Sequence, residues 1–380
     1  MARRASNSEG SLYKRSSDGL WVGAISLGYD RNGRLRRKTV SAKTRSEAMR
    51  KLRALQRNAD DGLPPPDDRL TVTQLFDRWL RDVVPLRVAP STVENYTSVV
   101  KNHIKPALGR KRVSRLTFDD IQEFIAKKTE EGCAGRTVRL CRSLLVDALN
   151  QAVRKGQIPR NVALMTQGPA LVTKERRALS LEEAKILLRA LDGDRLEAMY
   201  LLRLTTGIRP GEGFALPWTH LDLDAGRVKV SRGLSRQRGG NVISDGKTHR
   251  KGWRTIPISP PVVDALRIHG KKQEEDRAEA GPRWSEDGLV FCTPFGTALD
   301  PDNERKRFYE LVDRAGLGHL TPNELRHSSA SIMLAQGVPI EVVSEILGHT
   351  SIRITKDVYG HIGEKQRRGA TEAISEALWS

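Results

Sequence analysis

Several side chains in the C-terminal half are of the types needed to break a phosphodiester bond without a metal ion. A tyrosine hydroxyl can act as the nucleophile, fixed arginines can stabilise the charge that develops on phosphate oxygens, and lysine or histidine can donate a proton or a hydrogen bond. The candidates for these roles are Arg209, Lys247, Arg326, His349 and Tyr359. Because a planar guanidinium matches the geometry of a phosphate, this combination predicts phosphoryl transfer.

The residues around Arg209 predict how this arginine is positioned. Gly207 can end one helix and Pro210 can begin another, so Arg209 is expected at a corner between two helices, pointing outward. Glu212 lies one turn further on, where its carboxylate can orient a guanidinium.

A histidine and a tyrosine stand at a short separation near the C-terminus. Gly348 is the expected C-cap of a helix over residues 340–347, and His349 follows it directly. Tyr359 lies ten residues after His349. A short helix over residues 350–359, capped by a Thr or Ser, would present this tyrosine at its far end.

These motifs resemble those of the tyrosine recombinases, the phage integrase family. The resemblance covers the whole chain and is strongest over residues 175–361. It implies that Tyr359 attacks a DNA phosphate whose oxygens are held by Arg209 and Arg326. It also implies that His349 donates a hydrogen bond to the same phosphate. No cofactor and no metal ion are expected.

The resemblance assigns the proton donor to a lysine on a hairpin loop. Lys247, in the run Gly-Lys-Thr, occupies that loop and is expected to protonate the 5′ leaving oxygen. A lysine can act as an acid here because its pKa falls near other cations. Lys251 is the rival candidate, and a solvated loop charge is the plain alternative for either lysine.

Asn323 departs from the family pattern, which is His-x-x-Arg ending at Arg326. An asparagine can hydrogen-bond a phosphate oxygen or the tyrosine hydroxyl, but it cannot accept a proton. His327 lies four residues on, where it either substitutes in part or serves as a packing histidine. Asn323 therefore favours one alternative function, a catalytically weakened recombinase-like DNA-binding protein. A relaxase similar to type IB topoisomerases is a third possibility.

Length and composition limit the classes of protein to which this chain can belong. The chain has 380 residues, which suggests two or three domains, and a net charge of +19 with a pI near 10.1 favours nucleic acid as the partner. Its three cysteines fit neither a metal motif nor a disulfide framework. No apolar run is long enough to cross a membrane, and the N-terminus does not read as a secretory signal.

The predicted fold class is mainly α with small β elements (α+β), in three domains. Residues 1–63 hold predicted strands over 20–29 and 35–40 and a helix over 45–57. Since residues 1–66 contain 15 Lys and Arg against 6 Asp and Glu, this segment is similar to the arm-type DNA-binding domain of integrases. A solvated basic extension is the alternative.

Residues 70–165 are predicted to form a bundle of four or five helices, which resembles the core-binding domain of the family. The helices are expected to start at capping boxes, among them one formed by Ser91 and Glu94. Pro- and Gly-containing linkers are expected over 62–68 and 167–177.

Residues 175–380 are predicted to form the catalytic domain, whose first helix starts at a capping box of Ser180 and Glu183. Two strands, over 227–231 and 253–258, are expected around a long polar loop over 233–251. Lys229 and Arg254 are expected to contact phosphates only. The tail helix over 364–379 has an apolar face that packs either on a neighbouring subunit or on its own domain.

The resemblance also implies the partners. They are double-stranded DNA at core and arm attachment sites, further copies of the chain in a tetramer on DNA, and an accessory protein for excision or bending. No membrane is expected, and the location is the cytoplasm or nucleoid of a bacterial host. The attachment sequence itself is not readable, because phosphate contacts carry no sequence code.

Overall fold

The computed structural model describes residues 10–29, 33, 35–60, 69–171, 177–237, 240–245, 253–349 and 351. The chain divides into two compact units, Met1–Val172 and Thr173–Ser380. Helices dominate both, beside small antiparallel sheets, so the predicted α+β class is confirmed. None of the helices that the structure describes is both long and apolar enough to span a membrane.

A three-stranded antiparallel sheet opens the first unit, with the order β1 (Ser11–Lys14), β2 (Trp21–Tyr29), β3 (Leu35–Ala42). One helix, α1 (Arg45–Asp60), covers one face of it through Ala48, Leu52 and Leu55, which are all buried as the helical spacing predicts. The sequence did not indicate β1, because this four-residue edge strand is mostly exposed and shows no alternation.

The rest of the first unit is a helical bundle, as predicted. Its core is formed by apolar side chains that recur at helical spacing, such as Phe76, Trp79 and Leu144. The helices are α2 (Val72–Asp82), α3 (Pro90–Val99), α4 (Lys105–Leu108), α5 (Phe118–Glu130) and α6 (Gly135–Arg154), with a π turn over Val100–Ile104 and short 3₁₀ segments at Val84–Leu86, Val113–Arg115 and Val162–Met165.

The second unit surrounds one large apolar core with helices. They are α7 (Leu181–Ala190), α8 (Glu197–Thr206), α9 (Pro210–Phe214), α10 (Pro260–Ala280), α11 (Pro301–Arg314), α12 (Pro322–Ala335) and α13 (Ile340–Leu347), with 3₁₀ segments at Trp218–His220 and Gly281–Arg283. The predicted capping box of Ser180 and Glu183 is confirmed at the start of α7.

Two small antiparallel sheets lie between α9 and α10. The first has the order β4 (Leu221–Asp222), β5 (Arg227–Val230), β8 (Arg254–Pro257), which confirms the two predicted strands. The second is a hairpin of β6 (Arg232–Gln237) and β7 (Gly240–Asp245). The expected polar loop over 233–251 is therefore wrong in its first half. The apolar side chains of these two strands are Leu234, Val242 and Ile243, too few to show an apolar alternation.

One predicted capping box is wrong. Helix α3 begins at Pro90 with Ala89 as its N-cap, and no side chain caps it, so Ser91 lies inside the first turn rather than before it. Proline at the first helical position is preorganised for the helix and needs no N–H partner, so the N-cap lies two residues before Ser91.

Several predictions fall outside the described residues. They concern the first linker, residues 172–176 of the second linker, the loop over 246–252, the helix over 350–359 apart from residue 351, and the tail helix over 364–379. The division into three domains also stays a prediction.

We expect Leu144→Ala to loosen the bundle, because Leu144 is 1% exposed in its core. Deleting a fully buried leucine side chain costs about 2–5 kcal/mol. Hydrogen exchange of the α5 and α6 amides in the full chain measures this loss locally. The matched control is Leu86→Ala, since Leu86 is 85% exposed and its removal should change exchange by less than about 0.5 kcal/mol. Equal effects of the two variants would contradict the described packing.

Candidate active site

Arg209 stands at the corner between two helices, as the sequence predicts. Helix α8 ends at Gly207, whose φ of 65° is the left-handed conformation that favours glycine, and α9 begins at Pro210. The guanidinium of Arg209 is exposed, and its Nη1 donates a 2.9 Å hydrogen bond to Glu212. Glu212 also accepts the backbone N–H of Arg209 at 2.8 Å, so this carboxylate fixes both ends of the arginine.

Arg326 joins that corner to the end of α13. It lies on α12 and is only 7% exposed. Its Nη1 donates to the carbonyl of Gly207 at 2.8 Å, and its Nη2 donates to the carbonyl of Leu347 at 2.7 Å. A guanidinium carries five donors in a rigid fork. The two bonds therefore set the direction of the whole group.

His349 directly follows the C-cap of α13, as the sequence predicts. Gly348 ends the helix with φ 65°, and the backbone N–H of His349 donates to the carbonyl of Ser344 at 3.0 Å. His349 thus leaves the helix at a defined point, beside the carbonyl of Leu347 that Arg326 holds.

The backbone at Gly207 approaches α13 so closely that only glycine fits. A Cβ added at Gly207 would lie 2.4 Å from Cδ2 of Leu347 and 3.2 Å from Oγ of Ser329. The corner that carries Arg209 therefore packs directly on the helix that leads to His349. Three predicted site residues, Arg209, Arg326 and His349, are brought together by this contact.

The surroundings of His349 keep its imidazole neutral. Burial lowers the pKa of this histidine to about 4, together with the positive charges of its neighbours Arg326, Arg209, His327 and Arg254. At neutral pH the ring therefore offers one N–H donor and one acceptor nitrogen. A neutral histidine among fixed cations suits hydrogen bonding to an anionic oxygen.

Arg254 is not the solvated phosphate contact that the sequence predicts. Its side chain is 6% exposed, and its Nη2 donates to Glu212 at 3.0 Å. Burial alone would raise the pKa of Glu212, but the hydrogen bonds and charges of Arg254 and Arg209 outweigh it and hold the pKa below its ordinary value. Glu212 is therefore an anion shared by two arginines. The sequence gives no signal for this, because the two residues are 42 positions apart.

Asn323 and His327 lie on the same helix as Arg326. Asn323 is exposed in the first turn of α12, three residues before Arg326, so both are on one helical face. His327 is half-buried and contributes to the field at His349. The side chain of Asn323 is thus exposed, whereas that of Arg326, three residues on, is buried.

Lys247, its rival Lys251 and Tyr359 lie outside the described residues. The hairpin that leads to Lys247 is described as far as Asp245. It is attached near the start of α11, because Arg236 pairs with Asp302 and Nδ2 of Asn241 donates to the carbonyl of Leu299 at 3.3 Å.

The first residue of α12 is bound by a buried arginine that the sequence analysis did not single out. Arg203 of α8 is 1% exposed, and its Nη2 donates to the carbonyl of Pro322 at 2.7 Å. Its burial lowers its pKa to about 10, which still leaves it charged at neutral pH. The signal that could have found it is an arginine placed among the apolar positions of a helix.

No group of three or more His, Cys, Asp or Glu side chains in the described part of the chain is arranged to hold a metal ion. All three cysteines are free thiols, and burial raises the pKa of Cys141 to about 11.

Comparison with known proteins gives matches along most of the chain. The family described as phage integrase family matches residues 177–366, and the phage integrase, N-terminal SAM-like domain matches residues 71–129. An integrase of Streptomyces ambofaciens is 32% identical over 372 residues, which cover 94% of each chain. A tyrosine recombinase XerC-like protein of Caldanaerobacter subterraneus subsp. tengcongensis is 30% identical over 374 residues, which cover 93% of this chain and 95% of the relative.

Solved structures show the same fold at lower identity. The Tn1549 transposon integrase in complex with a circular intermediate DNA matches with a TM-score of 0.69 and 22% identity, over 80% of this chain and 99% of that one. A lambda integrase tetramer bound to a Holliday junction matches with a TM-score of 0.58 and 19% identity, over 90% of this chain and 95% of that one.

We expect His349 to titrate far below an ordinary histidine, with a midpoint near pH 4. Because the folded chain binds this proton more weakly than the unfolded chain does, His349 makes the fold less stable as the pH falls from about 6.5 towards 4. NMR of the full chain with isotope-labelled histidine measures the midpoint, and His349→Gln identifies the resonance by its loss. A midpoint near 6.5 would contradict the described surroundings.

Proposed function

This chain belongs to the phage integrase family of tyrosine recombinases, and we propose that it recombines specific DNA sites through an attack of Tyr359 on a backbone phosphate. The observation that carries the proposal is the buried guanidinium of Arg326, which holds the Arg209 corner and the His349 turn at one place. A site-specific integrase needs such a fixed set of donors, because the charge of the transition state lies on the phosphate oxygens.

The proposed reaction balances without an external energy source. The Tyr359 oxygen forms a bond to phosphorus, and the bond from phosphorus to the 5′ oxygen breaks, which leaves a 3′-phosphotyrosine and a 5′ hydroxyl. Arg209 and Arg326 bind the non-bridging oxygens, and neutral His349 donates its N–H to one of them. Lys247 gives its proton to the 5′ oxygen. A 5′ hydroxyl of the partner strand then reverses the step and releases the tyrosine.

Asn323 is proposed as a hydrogen-bond donor to the phosphate at the open side of the site. Its amide cannot take the proton of the tyrosine, so this proton must pass to another acceptor such as water. Its exposed position in the first turn of α12, one turn before Arg326, supports this role.

We propose duplex DNA as the substrate and a tetramer as the active assembly. The net charge of +19 suits a phosphate backbone, so binding should weaken steeply with salt. The structures of similar fold include an integrase with a circular intermediate DNA and a tetramer on a Holliday junction, which supports both points. The segments over 1–63, 70–165 and 175–380 are proposed as arm-binding, core-binding and catalytic domains, acting in a bacterial cytoplasm.

A second candidate function rests on Asn323 alone. If its amide cannot replace the usual histidine, the chain would bind the same DNA sites but cleave them inefficiently. The two functions differ in one observable, the covalent protein–DNA adduct. A relaxase would instead relax supercoiled plasmids that lack any attachment site.

We expect a covalent adduct with a nicked duplex copied from the junction of the element that encodes this chain. Because of the nick, cleavage releases the short fragment that carries the 5′ hydroxyl. Religation therefore fails, and the SDS-stable adduct accumulates. Tyr359→Phe should abolish it, because no phenolic oxygen remains. The matched control is Tyr309→Phe, which removes the hydroxyl of an exposed tyrosine of the same unit and should leave the yield unchanged. An adduct that persists in Tyr359→Phe would refute the assignment.

Arg209→Lys should slow adduct formation by about 10²–10³-fold, the usual cost of losing one donor to a developing oxyanion. A lysine keeps the charge but cannot form the fork that binds two oxygens. Single-turnover rates at saturating protein measure the effect. Arg314→Lys is the control, since this exposed arginine ends α11. An equal rate for Arg209→Lys and wild type would exclude Arg209 from the phosphate clamp.

A further inference from the structure

The guanidinium of Arg254 connects three elements that meet at the site. Its Nε donates to the carbonyl of Ile346, near the end of α13, at 2.6 Å. Its two terminal nitrogens donate to the carboxylate of Glu212 on α9, at 3.3 and 3.0 Å. Arg254 itself lies on β8 and pairs across the sheet with Val230 of β5. One side chain thus ties a rigid sheet to both flanks of the site.

Space for this guanidinium depends on Gly348. A Cβ added there would lie 2.8 Å from Nη1 and 3.0 Å from Cζ of Arg254. Real Cβ atoms do not approach so closely, so any side chain at position 348 would have to displace the arginine or the helix end. Glycine at this position therefore serves both the left-handed turn and the packing of Arg254.

Two arginines together hold the C-terminus of α13. Arg254 binds the carbonyl of Ile346, and Arg326 binds the carbonyl of Leu347, the next residue. The last carbonyls of a helix have no partner within the helix and carry partial negative charge, so cations there are favourable. Helix α13 has eight residues, so these two bonds fix the carbonyls of its last two residues to the rest of the unit.

We propose that Arg254 is a positioning residue. Its buried guanidinium fixes the position of His349 relative to the Arg209–Glu212 pair. It acts through Glu212 on one side and through the Ile346 carbonyl on the other. With 6% of its side chain exposed, it is engaged with the protein rather than with DNA. The inference rests on the proposed function for its catalytic readout only, because the position of His349 can be measured without DNA.

The charged groups around His349 decide the sign of the effect on its titration. Among the described residues, these groups come from four elements. Arg209 at the start of α9, Arg326 and His327 on α12 and Arg254 on β8 act on His349 directly, and Glu212 of α9 pairs with Arg254. Glu341 and Glu345 of α13 line the same ≈ 480 Å³ cleft as His349. Removing the positive charge of Arg254 removes its repulsion of a protonated His349. It also leaves the negative charge of Glu212 less neutralised. Both changes raise the pKa of His349.

The first test compares Arg254→Gln with Arg195→Gln in the full chain. Arg195 makes the same kind of link away from the site, since it donates to the carboxylate of Asp276 and to the carbonyl of Cys292. Single-turnover adduct formation on the nicked duplex should fall at least about tenfold in Arg254→Gln at saturating protein. The concentration for half-saturation should change less than about twofold, and Arg254→Lys should recover part of the rate. Arg195→Gln should react as wild type does.

The second test displaces the guanidinium without removing it. Gly348→Ala should lower the same rate, whereas Gly316→Ala should not. Both glycines have φ 65° and follow the end of a helix, so the backbone cost is equal, but a Cβ at Gly316 meets nothing within 4 Å. A common loss of stability would affect both variants alike. An equal rate in the two variants would overturn the role of the contact with Arg254.

The third test needs no DNA and separates this inference from the proposed function. In NMR of the free chain, Arg254→Gln should raise the titration midpoint of His349 and move its resonances, and Arg195→Gln should do neither. An unchanged His349 signal in Arg254→Gln overturns the inference even if adducts form. If wild type forms no adduct but Arg254→Gln moves the His349 signal, the proposed function fails while the positioning role of Arg254 is supported.

Discussion

The site depends on one buried interaction, the pair of hydrogen bonds from Arg326 to the carbonyls of Gly207 and Leu347. These acceptors belong to the ends of two helices that are 140 positions apart in sequence. A buried guanidinium without partners would be very costly, so the two helix ends must stay where they satisfy it. The charge that we propose to bind phosphate is thereby also the charge that assembles the pocket.

The second constraint is electrostatic. Arg209, Arg254 and Arg326 place three positive charges around one histidine, and Arg209 and Arg254 share the carboxylate of Glu212. This arrangement leaves the imidazole neutral and the arginines oriented before any substrate arrives. Such preorganisation costs folding energy and lowers the reorganisation needed in the reaction. The proposed ligand, an anionic phosphate, would relieve the repulsion among these cations.

The sequence predicted those parts of the site that local chemistry determines. Gly207, Pro210 and Gly348 announce a corner and a helix end because backbone conformations are restricted to few residue types. The roles of Arg254 and Arg203 were missed, since their partners are 42 or more positions away in sequence. The hairpin of β6 and β7 was missed because its strands carry too few apolar side chains to show an alternation.

The acceptors that Arg254 and Arg326 use are main-chain carbonyls rather than side chains. Such an oxygen is present whatever amino acid occupies the position, so drift at residue 346 cannot delete it, whereas drift at either arginine removes a donor. Substitutions that damage these contacts are therefore concentrated at the two arginines, which supply the donors, and at Gly207 and Gly348, which leave space for them. The acceptors themselves constrain the backbone path rather than the choice of amino acid.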